Sequence, residues 1–226
     1  MNKQVSVLFM LCGILFNVAI LISNILAFKI ISIGGITATA GLIIFPVSYI
    51  LNDCITEVWG FKKARFIVWT GFATNFLTVI LYQISIVIPP APFWGFQEAY
   101  TTVLSQTPRI AIACLCAFLT GSFLNAYIMS RMKTASNGKR FSVRAIVSTL
   151  IGESADSMIF FTIAFAGIFP ASEIGWLIFT QTFMKSGYEV IILPVTTRVV
   201  NYIKRMEGVD VYDREISYNV LKINEI

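Results

Sequence analysis

Long apolar runs alternate with short charged, glycine-containing or proline-containing segments along the chain. A membrane-spanning helix needs about 20 mostly apolar residues, because each residue advances the helix by about 1.5 Å. Six runs are long enough, and the predicted spans cover about residues 5–28, 38–58, 66–88, 108–130, 145–169 and 175–200. Gly34 and Gly35 are expected to turn the chain before span 2, and Thr107 is expected to cap span 4 in front of Pro108. The pattern predicts an all-α, polytopic membrane protein.

Basic residues are distributed unevenly among the predicted connections. The connections after spans 2 and 4 and the start of the tail hold ten of them, namely Lys62, Lys63, Arg65, Arg131, Lys133, Lys139, Arg140, Arg144, Lys204 and Arg205. The other three connections hold only Lys29 and Arg109. Because cytoplasmic loops carry an excess of Lys and Arg, both termini are expected in the cytoplasm. Residues 1–203 then form a six-helix transmembrane domain, and residues 204–226 form a short cytoplasmic tail.

The composition excludes several classes of protein. The 226 residues are 57% hydrophobic and only 13% charged, whereas soluble domains carry about 25% charged residues. This excludes a soluble globular enzyme, a disordered protein and a disulfide-stapled secreted domain. The chain has no His, and its four Cys lack the paired spacing of a zinc site, so no metal site and no cofactor are predicted.

Ionisable residues interrupt the apolar runs where they are costly. Asp53 lies in span 2, Glu153 and Asp156 in span 5, and Lys185 and Glu189 in span 6. Each costs about 2.5–3.5 kcal/mol near a helix centre, so by default such residues face the bundle interior and line a substrate or ion path. Counting along the helices places the pairs of spans 5 and 6 roughly 13–20 Å deep in a ~30 Å core. We therefore predict an acid-rich midplane cavity, and an internal ion-pair network that only specifies packing is the alternative.

The chemistry of this cavity limits its ligand. Carboxylates accept hydrogen bonds, so they suit a cation or a ligand with several N–H donors. The ring N–H and exocyclic amine of a guanine-like base match one carboxylate, while its carbonyl suits a Lys or an Asn. From composition alone a purine-like base, an organic cation and a sodium ion all remain open.

Ordered motifs over nearly the whole chain resemble a known family. They are Asn24-Ile-Leu-Ala-Phe-Lys29, Phe45-Pro46, Asp53-Cys-Ile-Thr-Glu57-Val-Trp-Gly60, Ala64-Arg65, Thr107-Pro108-Arg109, Ser148-Thr149-Leu-Ile-Gly152-Glu153-Ser-Ala-Asp156-Ser157, Lys185-Ser-Gly-Tyr188-Glu189, Pro194-Val-Thr-Thr197-Arg198 and Gly208-Val-Asp210-Val-Tyr212-Asp213. As an ordered set they resemble the six-helix queuosine precursor transporters, also called a vitamin uptake family. The resemblance implies a multi-pass importer in the bacterial inner membrane that takes up a 7-deazaguanine such as preQ0, preQ1 or queuine for tRNA queuosine salvage. It implies a transporter and not an enzyme.

The depth argument and the resemblance together give a set of candidate residues. The substrate-binding candidates are Glu153, Asp156, Lys185, Glu189, Asp53, Asn24, Asn125, Tyr188 and Asn17, and the candidates for coupling or gating are Glu57, Lys29 and Arg198. In this hypothesis Glu153 or Asp156 accepts from the edge of the base. Lys185, with Asn24 or Asn125, meets the carbonyl of the base. Glu189, alone or with Asp53, holds Lys185 and any amine of the ligand.

Other functions remain open at this stage. The chain has no phosphate-binding loop for ATP, so an ion gradient, metabolic trapping or a separate ATPase must drive uptake. It could be the binding subunit of an ATP-driven vitamin transporter, or a proton-coupled importer of another nucleobase-like vitamin. The small residues Ala19, Ser23 and Ala27 form a seam suited to internal packing, a subunit contact or a homodimer. The expected partners are the small-molecule deazapurine and the lipid bilayer, without nucleic acid.

Overall fold

The computed structural model describes residues 6–26, 29–33, 36–105, 108–214 and 216–221. Its helices are α1 (Val7–Leu26), α2 (Phe45–Trp59), α3 (Phe61–Val87), α4 (Gln97–Leu104), α5 (Pro108–Ala135), α6 (Phe141–Phe165) and α7 (Ala171–Glu207). Strands β1 (Ile30–Ile33) and β2 (Ile36–Thr39) form an antiparallel pair, and a 3-10 helix (Ala40–Ile43) leads into α2. The expected turn at Gly34 and Gly35 and the expected cap Thr107 lie outside the described residues.

Five helical segments of the described chain are long and apolar enough to cross a membrane. They are Val7–Leu26, Ala40–Trp59, Phe61–Val87, Ile112–Ala135 and Phe141–Phe165. Helix α7 is not among them, although its 37 residues would extend about 55 Å. Polar side chains in the middle of this helix, including Lys185 and Glu189, reduce its apolar character. The sixth span and the cytoplasmic location of the termini therefore stay predictions.

The start of the second span differs from the sequence expectation. A helix was expected from residue 38, but residues 36–39 belong to β2 and α2 begins only at Phe45. Pro46 lies in the first turn of α2, where its missing N–H costs no helical hydrogen bond. The first part of the predicted span therefore forms a strand and a 3-10 helix, and the α-helix follows from Phe45 onward.

Helices α5 and α6 approach each other closely at two glycines. A Cβ atom on Gly152 would lie 2.9 Å from the carbonyl oxygen of Gly121, and one on Gly121 would lie 3.0 Å from the carbonyl oxygen of Gly152. Only residues without a side chain allow the two backbones to pack at this distance. This contact fixes the face of α6 that carries Glu153 toward the bundle interior.

The small-residue seam of α1 is used inside the chain. Ala19 and Ser23 are both buried, and the Ser23 hydroxyl donates to the carbonyl of Gly41 at 3.3 Å. Ala27 lies outside the described residues. Within the described part, the seam therefore packs against the chain's own 3-10 helix.

The described residues after α7 do not form a free tail. Residues 208–214 and 216–221, here called the C-terminal strap, pack beneath the ends of α2, α3 and α5. The amide of Val211 donates to the carbonyl of Val58 at 3.1 Å, and Asp213 accepts the amide of Phe61 at 2.8 Å and the hydroxyl of Ser130 at 2.5 Å. The indole of Trp69 donates to a strap carbonyl at 2.7 Å. The strap thus belongs to the folded body of the protein.

Candidate functional site

Lys185 of α7 lies between two carboxylates of α6. Its ammonium nitrogen is 3.0 Å from Glu153 Oε2 and 3.1 Å from Asp156 Oδ2. The same nitrogen lies 3.9 Å from the ring centroid of Phe45, over the aromatic face. Glu153 is 1% exposed and Asp156 is 7% exposed. One buried patch therefore combines a donor, two acceptors and an aromatic surface.

A second carboxyl pair lies between α2 and α7. Asp53 and Glu189 are buried, and their carboxyl groups are close enough to interact electrostatically. Within the described residues no donor makes a hydrogen bond of normal geometry to any of their four carboxylate oxygens, although the Asn125 amide lies near Asp53 and the Thr149 hydroxyl lies near Glu189. Burial without such partners is costly, so this pair calls for a bound species to satisfy it.

The partners of Lys185 correct the hypothesis stated above. Glu189 was expected to hold Lys185, but the ammonium is paired with Glu153 and Asp156 of α6. Glu189 lies one turn further along α7, where it interacts with Asp53 of α2 instead. Residues four apart on a helix share a face only approximately, and neighbouring helices decide which partner each one meets. We refer to Asp53, Glu153, Asp156, Lys185 and Glu189 as the buried acid cluster.

Amide side chains connect the helices beside this cluster. Asn52 Nδ2 donates to the carbonyl of Ser122 at 3.0 Å and to Asn125 Oδ1 at 2.8 Å. Asn125 Nδ2 donates in turn to Thr149 Oγ1 at 3.3 Å. Asn125 therefore links α2, α5 and α6, and Asn52 is a member that the sequence analysis missed. The sequence did contain a signal for Asn52, because it is a polar residue directly before Asp53 in an apolar run.

Other buried polar atoms near the acid cluster also lack partners. Within the described chain these include the hydroxyls of Tyr49, Ser157, Thr182 and Ser186 and the side-chain oxygen of Asn52. They lie on α2, α6 and α7, the helices that carry the acids, and Tyr49 is within electrostatic range of all four carboxyl groups. Buried polar groups are normally hydrogen-bonded, so such a concentration marks a place for water or a ligand.

The charged side chains of α6 and α7 in the acid cluster contact one another directly in this structure. The two best-formed cavities of the described residues lie elsewhere, one of about 20 Å³ lined by Asn24 and Asn75, and one of about 440 Å³ beside Arg131 at the end of α5. Lys185 occupies the space between the carboxylates of α6. The side chains of the expected midplane cavity are together, but they are packed against one another.

Several candidate residues lie apart from the acid cluster. Asn24 donates to Asn75 of α3 at 2.9 Å, and Asn17 donates to a carbonyl of its own helix at 2.7 Å. Lys29 and Arg198 are exposed. Helix α1 packs on α2 and α3, which directs its two asparagines to that side of the bundle. Tyr188, half-buried, precedes Glu189 on α7.

Glu57 is the centre of a separate ion cluster. Arg144 of α6 donates through both terminal nitrogens to the two carboxylate oxygens of Glu57, the Nη2 bond measuring 3.0 Å. Lys204 of α7 is 2.6 Å from the same carboxylate. Asp210 of the strap lies 2.5 Å from Lys133 and 2.9 Å from Lys204. This Glu57 cluster, made of these five residues, joins α2, α5, α6, α7 and the strap.

Two basic residues of the Glu57 cluster are buried, although the sequence placed them in solvent-exposed connections. Arg144 and Lys133 were counted as charges of cytoplasmic connections, yet they are 1% and 2% exposed. Lys133 also donates to the backbone carbonyls of Glu57 and Val211. These cations hold the end of the bundle together, because buried charges persist only when they are paired and hydrogen-bonded.

Comparison with known proteins gives consistent matches. Residues 39–199 match the family model described as "Putative vitamin uptake transporter". A "Probable queuosine precursor transporter" of Bacillus subtilis (strain 168) is 31% identical over 175 residues, 76% of this chain and 76% of that protein. One of Haemophilus influenzae is 30% identical over 173 residues, 74% and 71% of the two chains. A "Queuosine precursor transporter" of Escherichia coli (strain K12) is 29% identical over 143 residues, 63% and 62% of the two chains. No solved structure matches the chain significantly.

Proposed function

This chain belongs to the vitamin uptake transporter family, and we propose that it imports a queuosine precursor across the bacterial inner membrane. It is a multi-pass membrane transporter and not an enzyme. The substrate is a 7-deazaguanine such as preQ0, preQ1 or queuine, taken up for tRNA queuosine salvage. The names of the three relatives support the class of substrate. The contact of Lys185 with Glu153 and Asp156 supports the place where the base binds.

One observation carries the proposal, the position of Lys185 between Glu153 and Asp156 at 3.0 and 3.1 Å. A guanine-like edge presents N–H donors beside a carbonyl acceptor. An entering base can therefore take over a carboxylate with its N–H groups and offer its carbonyl to the released ammonium. Both contacts are charge-assisted, and such hydrogen bonds are roughly twice as strong as neutral ones.

Phe45 supplies a surface for the flat ring. The ammonium of Lys185 now covers its face at 3.9 Å from the centroid. When Lys185 turns toward the base, that aromatic face becomes free, and stacking of a base on an aromatic ring contributes about 1–3 kcal/mol. Phe45 thus joins Glu153, Asp156 and Lys185 in the proposed binding set.

Binding requires Lys185 to leave the two carboxylates of α6, because its ammonium occupies the space between them. Pro194 lies inside α7, five residues after Glu189. Proline removes one helical hydrogen bond and is a common site of bending. We assign the opening movement to this part of α7.

The binding set can be tested with purified protein and in cells. Asp156→Asn and Lys185→Met each remove one charge-assisted contact of about 1.5–3 kcal/mol, which corresponds to a roughly 10- to 150-fold loss of affinity. Binding of preQ0, preQ1, queuine and guanine is measured directly, and tRNA queuosine is measured in cells that cannot make the precursor. Phe45→Leu keeps an apolar side chain and tests stacking alone.

The control is Lys139→Met, which alters an exposed lysine in the connection between α5 and α6. It is expected to bind and salvage like the wild type. Full salvage by both Asp156→Asn and Lys185→Met at normal membrane levels would refute the site. An ATP-driven partner is the competing mechanism, and uptake by vesicles that contain this chain alone would reject it.

A further inference from the structure

We propose that Asp53 and Glu189 together bind one proton, and that this proton is carried inward with the base. The proposal rests on the transport function above and adds its driving force. It assigns a second role to the buried acid cluster: α6 and Lys185 hold the base, whereas the pair between α2 and α7 holds the proton.

The charge balance of the cluster leads to this assignment. Four carboxyl groups, Asp53, Glu153, Asp156 and Glu189, are buried near a single ammonium. Lys185 forms ion pairs with Glu153 and Asp156. The other two carboxyl groups, Asp53 and Glu189, are 0% and 2% exposed and receive no hydrogen bond of normal geometry from the described residues. Their polar neighbours Asn125 and Thr149 are uncharged and supply no compensating positive charge. Two neighbouring buried carboxylates cannot both remain ionised without a compensating positive charge.

A shared proton satisfies this geometry. One carboxyl group becomes the neutral acid, and its O–H donates to the carboxylate oxygen of the other, as in paired carboxyl groups that titrate as one unit. The pair needs no further donor in that state. Among the described residues no three Asp, Glu or Cys side chains are arranged to hold a metal ion. Sodium also binds hydroxyl and carbonyl oxygens, so it is the competing occupant that the experiment below excludes.

The proton pair has other ionisable neighbours on α2, α6 and α7. These groups are Tyr49, Cys54 and Glu57 on α2, Glu153 and Asp156 on α6, and Lys185 on α7. From α5 it meets the uncharged amide of Asn125. Tyr49 is a second observation for a bound species here, because the residue is 3% exposed and its buried hydroxyl has no partner among the described residues, although all four carboxyl groups are near.

Helix α7 connects the proton to the base. Glu189 follows Lys185 by four residues, so both lie on neighbouring turns of one helix face. When a base draws Lys185 away from α6, the adjoining turn of α7 moves with it. Glu189 lies on that turn, so its position relative to Asp53 changes. The pair takes up its proton from the outer side and releases it to cytoplasmic water. While the pair is ionised, that water replaces the proton as its hydrogen-bond donor.

The proton balance predicts what drives uptake. One proton enters with each neutral base, so each cycle carries one positive charge inward. A pH difference with the acidic side outside should therefore concentrate preQ0 about tenfold for each pH unit. The experiment uses vesicles that contain the full chain, with preQ0 as the probe and without sodium.

Two variants separate the proton from the base. Asp53→Asn and Glu189→Gln are expected to keep exchange of preQ0 between equal pools on the two sides. They should lose accumulation driven by the pH difference. Glu173→Gln changes an exposed acid in the first turn of α7 and serves as the matched control, with wild-type accumulation expected. In the wild type, a pH-sensitive dye should record one proton entering per preQ0, a measurement that needs no variant.

Each other outcome counts against a specific claim. Accumulation by both variants as in the wild type, or accumulation that follows a sodium gradient and ignores pH, would overturn the proton site. Loss of exchange in both variants would place Asp53 and Glu189 in the substrate site and would overturn it too. If the wild type neither binds nor exchanges preQ0, queuine or preQ1, the proposed function itself fails.

Discussion

Replacement of Arg144 by Ala tests whether the Glu57 cluster holds the end of the bundle together. Arg144 is 1% exposed and donates through two nitrogens to Glu57, which is also 1% exposed. It also donates to the carbonyls of Lys139 at 3.1 Å and Gly138 at 3.2 Å. The substitution therefore leaves a buried carboxylate and two carbonyls without their main donor.

The magnitude follows from the partners that remain. Breaking a buried ion pair by removing one partner costs about 3–5 kcal/mol. Lys204, at 2.6 Å, still neutralises Glu57, so we expect the lower end, about 3 kcal/mol. For a chain of 150–250 residues each kcal/mol shifts Tm by about 2–4 °C, which gives a decrease of about 6–12 °C.

The assay is thermal unfolding of the purified protein in detergent, followed by the fraction that remains monodisperse. Arg205→Ala is the control, because Arg205 is exposed on the same end of α7 and should change Tm by no more than about 2 °C. The double variant Arg144→Met with Glu57→Met should lose less than the sum of the two single changes, since neither charge is left unpaired. A Tm for Arg144→Ala equal to that of Arg205→Ala would refute the structural role of the cluster.

Two further predictions concern the α5–α6 contact and the strap. A Cβ atom on Gly152 would lie 2.9 Å from atoms of α5, so Gly152→Ala should lower the free energy of unfolding by about 1–3 kcal/mol. The control is Gly175→Ala, whose new Cβ atom would meet no atom within 4 Å, so it should not lower Tm. Partial burial acts to raise the pKa of Asp210, but hydrogen bonds from Lys133 and Lys204 outweigh it and hold that pKa below its usual range. Because the folded pKa is the lower one, the stabilisation is present above about pH 4 and is lost as pH falls through the folded value. Protease cleavage of the strap should therefore rise in acid for the wild type, and Asp210→Asn should show the faster cleavage already at pH 7.

Local sequence patterns predicted much of this protein correctly. Apolar runs are a local property, and α1, α2, α3, α5 and α6 lie where those runs predicted spans, except that α2 begins at Phe45 instead of residue 38. The short α4 lies in the connection predicted between spans 3 and 4. The motif resemblance to the vitamin uptake family was confirmed by the family match and by the three relatives. The expected burial of Glu153 and Glu189 follows from the same logic, since a charge in an apolar helix is too costly to face lipid.

The choice of partners depended on tertiary structure. Spacing along a helix shows which residues share a face, but it does not show which neighbour that face meets. The close glycine contact of α5 with α6 and the packing of α7 paired Lys185 with Asp156 and left Glu189 beside Asp53. Asn24 was directed to α3 in the same way.

The sequence by itself therefore determined the membrane class, the family and the presence of buried charge, because each follows from residue types and their local order. Only the tertiary structure decided which charges are paired, which buried carboxyl groups lack an ion pair among the described residues, and that residues 208–221 return to the bundle as a strap where described. These contacts join residues up to 154 positions apart, and their energies depend on burial and distance that only the packed helices define.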